Sequence, residues 1–352
     1  MALNQAYIVD AIRSPTGRRK GGLGHIHGAD LGAHVLNEIV QRNGIPDVDY
    51  DDIIFGCVDT IGPLAGDIAR TAWLAAGLSD EVPGTTIDRQ CGSSQQAVHF
   101  AAQAIMSGTM DVIVAGGVQT MTQIPIGSAM TSAAPLGFTD PFSGSEGWVE
   151  RYGDVFVSQF NSAQMMADKW NLSRADMEAY ALRSHSRALS AIEQGYFDRE
   201  IVPLNGIKMD ETPRLTSLEK MAELEPIQEG GSITAAVSSQ TCDGASAVLV
   251  VSEDALKRYN LQPRARIAHI SVRGADPIWM LTAPIPATAH ALKKAGMSIH
   301  DIDLVEINEA FAPVPMAWLA ETGYDPDKTN VNGGAISLGH PLGATGTKLM
   351  TT

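Results

Sequence analysis

The first 120 residues switch repeatedly between two hydrophobic rhythms. Short apolar runs bounded by polar turns read as strands, and longer stretches with apolar residues every three or four positions read as helices. The spacing predicts strands at Gln5–Asp10, Asp52–Val58, Pro83–Asp88 and Val112–Gly116, and helices at Ala29–Arg42, Asp67–Ala76 and Gly92–Ser107. Strands alternating with helices imply a mixed, largely parallel α/β sheet. Residues 118–250 break the alternation. This stretch is rich in Met, Ser, Gly and Pro, and holds a helical segment, Ser173–Gln194, opened by a capping-box pattern, Ser173-Arg-Ala-Asp176. It reads as an inserted lobe of the kind that carries substrate contacts. The chain then returns to a strand, Ser246–Ser252, expected to complete the first sheet.

The pattern also repeats. Arg42-Asn-Gly-Ile-Pro-Asp-Val-Asp-Tyr-Asp-Asp-Ile-Ile-Phe-Gly56 parallels Lys294-Ala-Gly-Met-Ser-Ile-His-Asp-Ile-Asp-Leu-Val-Glu-Ile-Asn308, with an offset of 296 − 44 = 252 at the glycine. Each copy reads as a helix closing on glycine, a polar turn and an apolar strand. Further along, Cys91 matches His340 at an offset of 340 − 91 = 249. The chain divides accordingly into a first half (1–118 plus 245–262), an inserted loop domain (119–244) and a second half (263–352). The strand at Asp111–Gly117 has no partner in the second copy. The offset of 249 places one near 360–366, so the pattern predicts a further segment beyond Thr352.

With 352 residues and 44% hydrophobic composition, the chain can bury two or three cores, yet holds no apolar run long enough to span a bilayer. Its start lacks the basic region and apolar run of a signal peptide. Three widely spaced cysteines without CxxC spacing argue against a disulfide framework and a zinc site, and for a reducing, cytoplasmic setting. A net charge of −15 disfavours nucleic acid and anionic membranes as partners, while leaving room for a phosphate at a local basic spot. Gly116-Gly117 after an apolar strand lacks the GxGxxG fingerprint of a dinucleotide loop and reads as tight packing.

The residues able to do chemistry cluster in three runs. Cys91 lies in Thr86-Ile-Asp-Arg-Gln-Cys-Gly-Ser-Ser-Gln-Gln96, where a strand gives way to a helix. A helix N-terminus favours a thiolate, and its N–H groups can bind an oxyanion. Cys91 is a nucleophile or else a buried structural cysteine; Cys57 fits the structural role and Cys242 is ambiguous. His340, in Asn332-Gly-Gly-Ala-Ile-Ser-Leu-Gly-His-Pro-Leu-Gly-Ala-Thr-Gly346, sits in a small-residue turn able to hold the ring rigidly. Histidine is the usual base for a cysteine nucleophile. Asn308 and Glu309 end an apolar strand, where polar groups are costly to bury unpartnered. Asn308 either holds a water for a substrate carbonyl or fixes a loop, and Glu309 can orient a neighbour.

Cys91 in Asp88-Arg-Gln-Cys-Gly-Ser-Ser-Gln-Gln96, Asn308-Glu-Ala-Phe311 and Gly339-His-Pro-Leu-Gly-Ala-Thr-Gly346 together resemble a thiolase, an acetyl-CoA acyltransferase. Val9-Asp-Ala-Ile-Arg-Ser-Pro15 and Asp243-Gly-Ala245 fit as well, and the likeness covers essentially the whole chain. The resemblance implies a duplicated core in a five-layer αβαβα sandwich with an inserted loop domain. It implies CoA-dependent cleavage of a 3-oxoacyl-CoA, or the reverse Claisen condensation. Carried over, Cys91 accepts the acyl group and His340 takes its proton. Asn308 holds the water of one oxyanion site, and the Cys91 N–H serves a second. Ala310 and Phe311 line the acyl and pantetheine channel. Ser239, in Thr234-Ala235-Ala-Val-Ser-Ser239, meets the pantetheine with its Ala235 run, Arg214 lies near the CoA nucleotide, and Gln159 faces the acyl group. CoA and acyl-CoA are then substrates, with no permanently bound cofactor and no metal. The partner is a second copy, in a homodimer or homotetramer.

The sequence departs from that family in three places. The family's second catalytic cysteine, in a Cys-x-Gly motif near the C-terminus, has no match here, and its place falls in the segment that the duplication expects beyond Thr352. Ser158-Gln159-Phe160 stands where short-chain members often have His-Met-Gly, which suggests a bulkier acyl group than acetoacetyl. Gln240 stands before Thr241-Cys242-Asp243 where Asn is common. Two other functions remain open: a non-catalytic acyl-CoA-binding subunit, favoured by the absent cysteine and opposed by intact Cys91, Asn308 and His340, and a ketoacyl synthase-like condensing enzyme, which usually carries a second histidine at the place of Asn308.

Overall fold

The computed structural model describes residues 4–352. The apolar runs become strands β1 (Ala6–Arg13), β2 (Gly17–Arg18), β3 (Asp52–Gly56), β4 (Gly84–Ile87), β5 (Val112–Thr120), β6 (Cys242–Ser252) and β7 (Ala265–Arg266). They form one sheet in the order β4-β3-β5-β6-β1-β7, with β2 beside β6. β3 runs parallel to β4 and β5, whereas β6 runs antiparallel to both β5 and β1. The strand that returns from the inserted lobe therefore completes the sheet from its middle, not its edge.

Side chains alternate between the two faces, as a pleated strand requires. Ile53, Phe55, Val112, Val114, Leu249 and Val251 join one core with helices α1 (Gly28–Asn43) and α2 (Ile68–Ala75). Ile54, Ile113, Ala115, Val248 and Val250 join another with helix α3 (Ser93–Ser107). A sheet buried on both faces explains why its strands read as unbroken apolar runs. Asp67 caps α2 by accepting the Arg70 N–H, and the expected capping box of Ser173 and Asp176 opens the helix Arg174–Glu193. Gly116 is a packing glycine: a Cβ there would lie 2.4 Å from the Ser246 carbonyl oxygen.

The internal repeat is visible in three dimensions. α1 closes on Gly44 with φ 63°, and the helix Pro284–Ala295 closes on Gly296 with φ 68°. Each is followed by one 3-10 turn, Asp47–Asp49 and Ile299–Asp301, at an offset of 299 − 47 = 252. The copies then diverge. β3 is held between β4 and β5. Among the described residues its expected counterpart forms no strand; it makes one isolated parallel bridge, Val305 to Thr329. That segment is hydrogen-bonded on one side only, by Val305 N–H to Lys328 O and Asn330 N–H to Val305 O. The last helix, Thr345–Thr351, lies against α3 and β6: the Thr347 N–H donates to Ser94 Oγ at 3.0 Å, and the Ser246 and Thr347 hydroxyls meet at 2.6 Å.

Candidate active site

Cys91 stands on the turn between β4 and α3. The turn is tied by its own backbone, with Gly92 N–H to Arg89 O and Ser93 N–H to Gln90 O. The Arg89 N–H donates to Ser93 Oγ, whose hydroxyl donates back to Gln90 O. Gln90 has φ 49°, a left-handed conformation uncommon for a non-glycine residue and typical of sites that store strain. The half-buried Cys91 side chain packs with Val58, Met121 and Leu342. Burial pushes its thiol up to about 11; Asp88 adds to the rise, and the Cys91 N–H opposes it. This corrects the expectation of a thiol lowered by the helix N-terminus. Cys91 precedes the N-cap, Gly92, and the loss of water outweighs the N–H groups. Cys91 is therefore a neutral thiol at rest and needs a base. Cys57 and Cys242 are wholly buried, and burial pushes both up to about 12.

His340 occupies the equivalent place in the second copy. Gly339 before it has φ 81°, so a left-handed residue precedes both Cys91 and His340, at the offset 339 − 90 = 249. A Cβ on Gly339 would also lie 2.8 Å from Thr16 Cγ2, so the position needs glycine twice over. The hydrogen bonds assign the ring's tautomer. The Thr345 hydroxyl donates to Pro341 O at 2.9 Å, so its oxygen must accept from His340 Nδ1–H at 2.6 Å. Nε2 then carries the lone pair, and Asn308 Nδ2 donates to it at 3.3 Å. Burial, and after it the charge of Lys348, lowers His340 to about 3, so the ring is a neutral imidazole able to take a proton.

Glycines bring the two loops together. A Cβ on Gly117 would lie 2.2 Å from Gly343 O, and one on Gly346 would lie 2.1 Å from Gln95 N, so the His340 loop rests directly on the backbone of the Cys91 half. Gln119 fastens the seam: its Oε1 accepts from the N–H groups of Val58 (2.9 Å) and Gly343 (3.1 Å), and its Nε2 donates to Val58 O (2.7 Å). Leu342, two residues past His340, thereby reaches Cys91.

Beside Asn308, Glu309 anchors the surrounding loop. Glu309 is buried and accepts from Tyr180 Oη (2.9 Å), Ser184 Oγ (2.8 Å), Asn330 Nδ2 (2.9 Å) and the Ile336 N–H (3.1 Å). It is the orienting residue that the sequence left open. Asn308 Oδ1 is buried with no hydrogen-bond partner among the described residues, which fits an oxygen meant for a ligand's hydrogen-bonding group or a water. Ala310 and Phe311 follow, both buried. Ser239 N–H donates to Ala310 O and Ala312 N–H to Val237 O, so the Ser239 segment lines up beside them. Phe160 meets Phe311 edge-on at 5.5 Å, which brings the Gln159 helix to the same wall. Ala235 opens the 3-10 turn Ala235–Val237 and is exposed. Arg214 is exposed; its N–H meets His185 Nδ1, and no side-chain hydrogen bond joins it to this wall among the described residues.

Residue type alone does not mark Thr345, Gln119 or Lys348 as part of the site, and Gln240 stands out only as a departure from the family. Thr345 lies within the run quoted for His340, five residues on, a helical spacing that could have signalled a contact. Gln119 carries no such local mark. No helix among the described residues is long and apolar enough to cross a membrane.

Two family models match the chain: thiolase, N-terminal domain, over residues 6–254, and thiolase, C-terminal domain, over residues 261–352. The steroid 3-ketoacyl-CoA thiolase of Mycobacterium tuberculosis is 59% identical over 99% of this chain and 87% of its own length. A 3-ketoacyl-CoA thiolase of Yersinia pestis is 39% identical over 99% of this chain and 92% of its own. The crystal structure of the Bacillus anthracis acetyl-CoA acetyltransferase superposes with a TM-score of 0.87 at 35% identity, covering 99% of this chain and 91% of that one. The chain belongs to the thiolase family and is an acyl-CoA C-acyltransferase with the duplicated α/β fold of that family.

Proposed function

We propose that the acyl group passes through Cys91, with His340 as the base, and that the substrate is a 3-oxoacyl-CoA with a bulky acyl part. The observation that carries this reading is the state of His340: a neutral ring, with Nδ1–H fixed by Thr345 and the lone pair on Nε2, where Asn308 meets it, on a loop seated against Cys91. In the cleavage direction, Nε2 takes the thiol proton as the sulfur attacks the 3-oxo carbon. The carbonyl oxygen becomes an oxyanion, met by the Cys91 N–H or by a water on Asn308. Collapse breaks the bond between C2 and C3. The two-carbon fragment leaves as the acetyl-CoA enolate and takes from His340 Nε2 the proton that came from the Cys91 thiol, so the ring is neutral again and the acyl group remains on sulfur. A CoA thiol then gives its proton to His340 and takes the acyl group, and His340 returns that proton to the departing Cys91 sulfur. CoA thioesters enter as substrates; no permanent cofactor or metal has a role in these steps.

The bulky acyl part is supported by the 59% identity to a steroid 3-ketoacyl-CoA thiolase and by Ser158-Gln159-Phe160, whose Phe160 lies against Phe311. Ser239, Ala235, Ala310 and Phe311 would line the pantetheine and acyl path, Gln159 would face the acyl group, and Arg214 would meet the nucleotide. The lobe 119–244 would carry these contacts and those with a second copy, in a cytoplasmic homodimer or homotetramer. Leu136 at 77%, Phe138 at 65% and Phe156 at 80% exposure are large apolar side chains on that lobe. Thiolysis assays decide the substrate. The CoA thioester of a 3-oxo steroid side chain should be cleaved with a kcat/KM about tenfold or more above that of acetoacetyl-CoA, a margin of about 1.4 kcal/mol in transition-state binding. The reverse ranking would overturn the bulky-substrate assignment, and full activity of Cys91→Ala would overturn the acyl-cysteine step.

A further inference from the structure

The four carbonyls immediately before His340 are all met by two side chains. Gln240 Nε2 donates to Ile336 O at 2.9 Å and Ser337 O at 3.3 Å, and also to Thr212 O at 3.1 Å. Lys348 Nζ donates to Leu338 O and, at 3.1 Å, to Gly339 O. The backbone of Gln240 completes the hold, accepting the His340 N–H at 3.1 Å. The reason lies in the local structure. The helix Ala335–Leu338 is four residues long, and the carbonyls at a helix C-terminus lack intrahelical partners. A cation or an amide placed there satisfies them and fixes the direction of the chain that leaves.

We propose that Gln240 and Lys348 are positioning residues for His340, a two-sided clamp that holds the imidazole on line for proton transfer with Cys91. The inference rests on the acyl-Cys91 reading. Neither side chain touches the reacting atoms; each acts through the Ile336–Gly339 backbone. Lys348 is 6% exposed, and among the described residues no carboxylate forms an ion pair with its ammonium. A buried ammonium costs more than an apolar residue of the same size unless its donors are used. Here two of its three N–H groups are spent on the carbonyls next to the base. Asp210, Arg13, Glu200 and Cys242 are the other groups whose charges act on it, and burial, the largest influence, brings its pKa down to about 8. Gln240 has the reach the place demands: its amide spans Thr212 on one side and the Ile336–Ser337 turn on the other. This accounts for glutamine where asparagine is common in the family.

The test uses the full-length protein and measures the rate of acetyl transfer from acetyl-CoA to Cys91 by rapid quenching and intact mass, across acetyl-CoA concentrations. Gln240→Met and Lys348→Met should each lower the acylation rate constant about tenfold, with the half-saturating concentration unchanged. The double variant should fall by much less than the product, because both act on one loop. Gln240→Asn, shorter but still an amide, should keep more activity than Gln240→Met, which keeps length and packing but not the donors. Wild-type rates, a loss confined to the half-saturating concentration, or Gln240→Met outperforming Gln240→Asn would overturn the proposal. If Lys348→Met does not fold, the Gln240 pair decides. If the wild type takes no acetyl group, the acyl-cysteine reading fails, and the clamp is judged by 15N spectra of the imidazole. His340 should show one Nδ1–H tautomer in the wild type and a mixed population in Gln240→Met; identical spectra would overturn the clamp.

Discussion

At the scale of single residues, His340 is a base because two neighbours and its burial make it one. Thr345 accepts the hydrogen bond of Nδ1–H, Asn308 meets Nε2, and burial keeps the ring uncharged. Thr345→Val removes the acceptor for Nδ1–H, so the tautomer with the proton on Nε2 gains population and the base is lost. Acylation of Cys91 should fall by about 10- to 100-fold, with little change in melting temperature; an unchanged rate would show that Thr345 does not set the tautomer. The pH dependence follows from the same shifts. His340 is lowered to about 3, and Cys91 is raised to about 11. The base is therefore neutral above about pH 4, the thiol stays protonated below about pH 10, and the acylation rate should be nearly flat from pH 5 to 9. An inflection near pH 6.5 that disappears in His340→Asn would contradict it. Cys91 and His340 were marked in the sequence by runs of small or polar residues that no core would choose, and Asn308 by a polar pair that ends an apolar run. The perturbation of Cys91 was not legible, because desolvation depends on Val58, Met121 and Leu342, which come from three separate parts of the chain.

At the scale of elements, the site exists because the strand-to-helix turn of Cys91 and the helix-to-helix turn of His340 meet without side chains between them. Gly117, Gly343 and Gly346 each stand where a Cβ would strike backbone atoms. Gly346→Ala forces the last helix away from α3 at Gln95 N, which cannot yield as a flexible side chain can. The expected cost is about 1–3 kcal/mol of stability, together with slower acylation as His340 moves off Cys91; differential scanning calorimetry beside the acylation assay reads both. A variant as stable and as fast as the wild type would contradict the close seam. Strand and helix positions were largely legible: Asp67, Gly92 and Ser173 mark helix starts, and the apolar runs mark β3 to β6. The antiparallel, central place of β6 was not, because no local pattern in Cys242–Ser252 says which neighbours it pairs with. The second copy's β3-like segment carries the right apolar pattern, and a pattern alone does not form a ladder without neighbours on both sides.

At the scale of the whole molecule, a buried ion network ties the first strand to the inserted lobe. Arg13, 1% exposed, donates to Glu200 at 2.6 Å and to both oxygens of Asp210 at 2.7 and 3.0 Å, while Thr352 at the other end of the chain donates to Glu200. Arg13→Met leaves two buried carboxylates without their cation and should cost about 3–5 kcal/mol. The same network sets an acid limit. Burial alone would raise the Asp210 carboxyl, but Arg13, Lys348 and the Thr16 N–H together hold it below its ordinary value of 3.8. A carboxyl lowered on folding contributes stability above its unfolded value, and that contribution is lost as pH falls through the folded one. Thermal melts should therefore show a stability gap between the wild type and Asp210→Asn that is full above about pH 5 and shrinks below about pH 4. A gap independent of pH would contradict the assignment. The sequence marked Arg13 only as part of a family-like opening run; its partners lie 187 and 197 residues away, beyond any local signal.

The central claim is that Cys91 carries the acyl group and His340 releases its thiol. The most direct measurement is the intact mass of the protein after mixing with acetyl-CoA, followed by peptide mapping, for the wild type, Cys91→Ala and His340→Asn. The wild type should take one acetyl group, mapped to Cys91, Cys91→Ala should take none, and His340→Asn should be labelled about 10²- to 10⁴-fold more slowly. An acetyl group on Cys57 or Cys242, or equal labelling rates with and without His340, would contradict it.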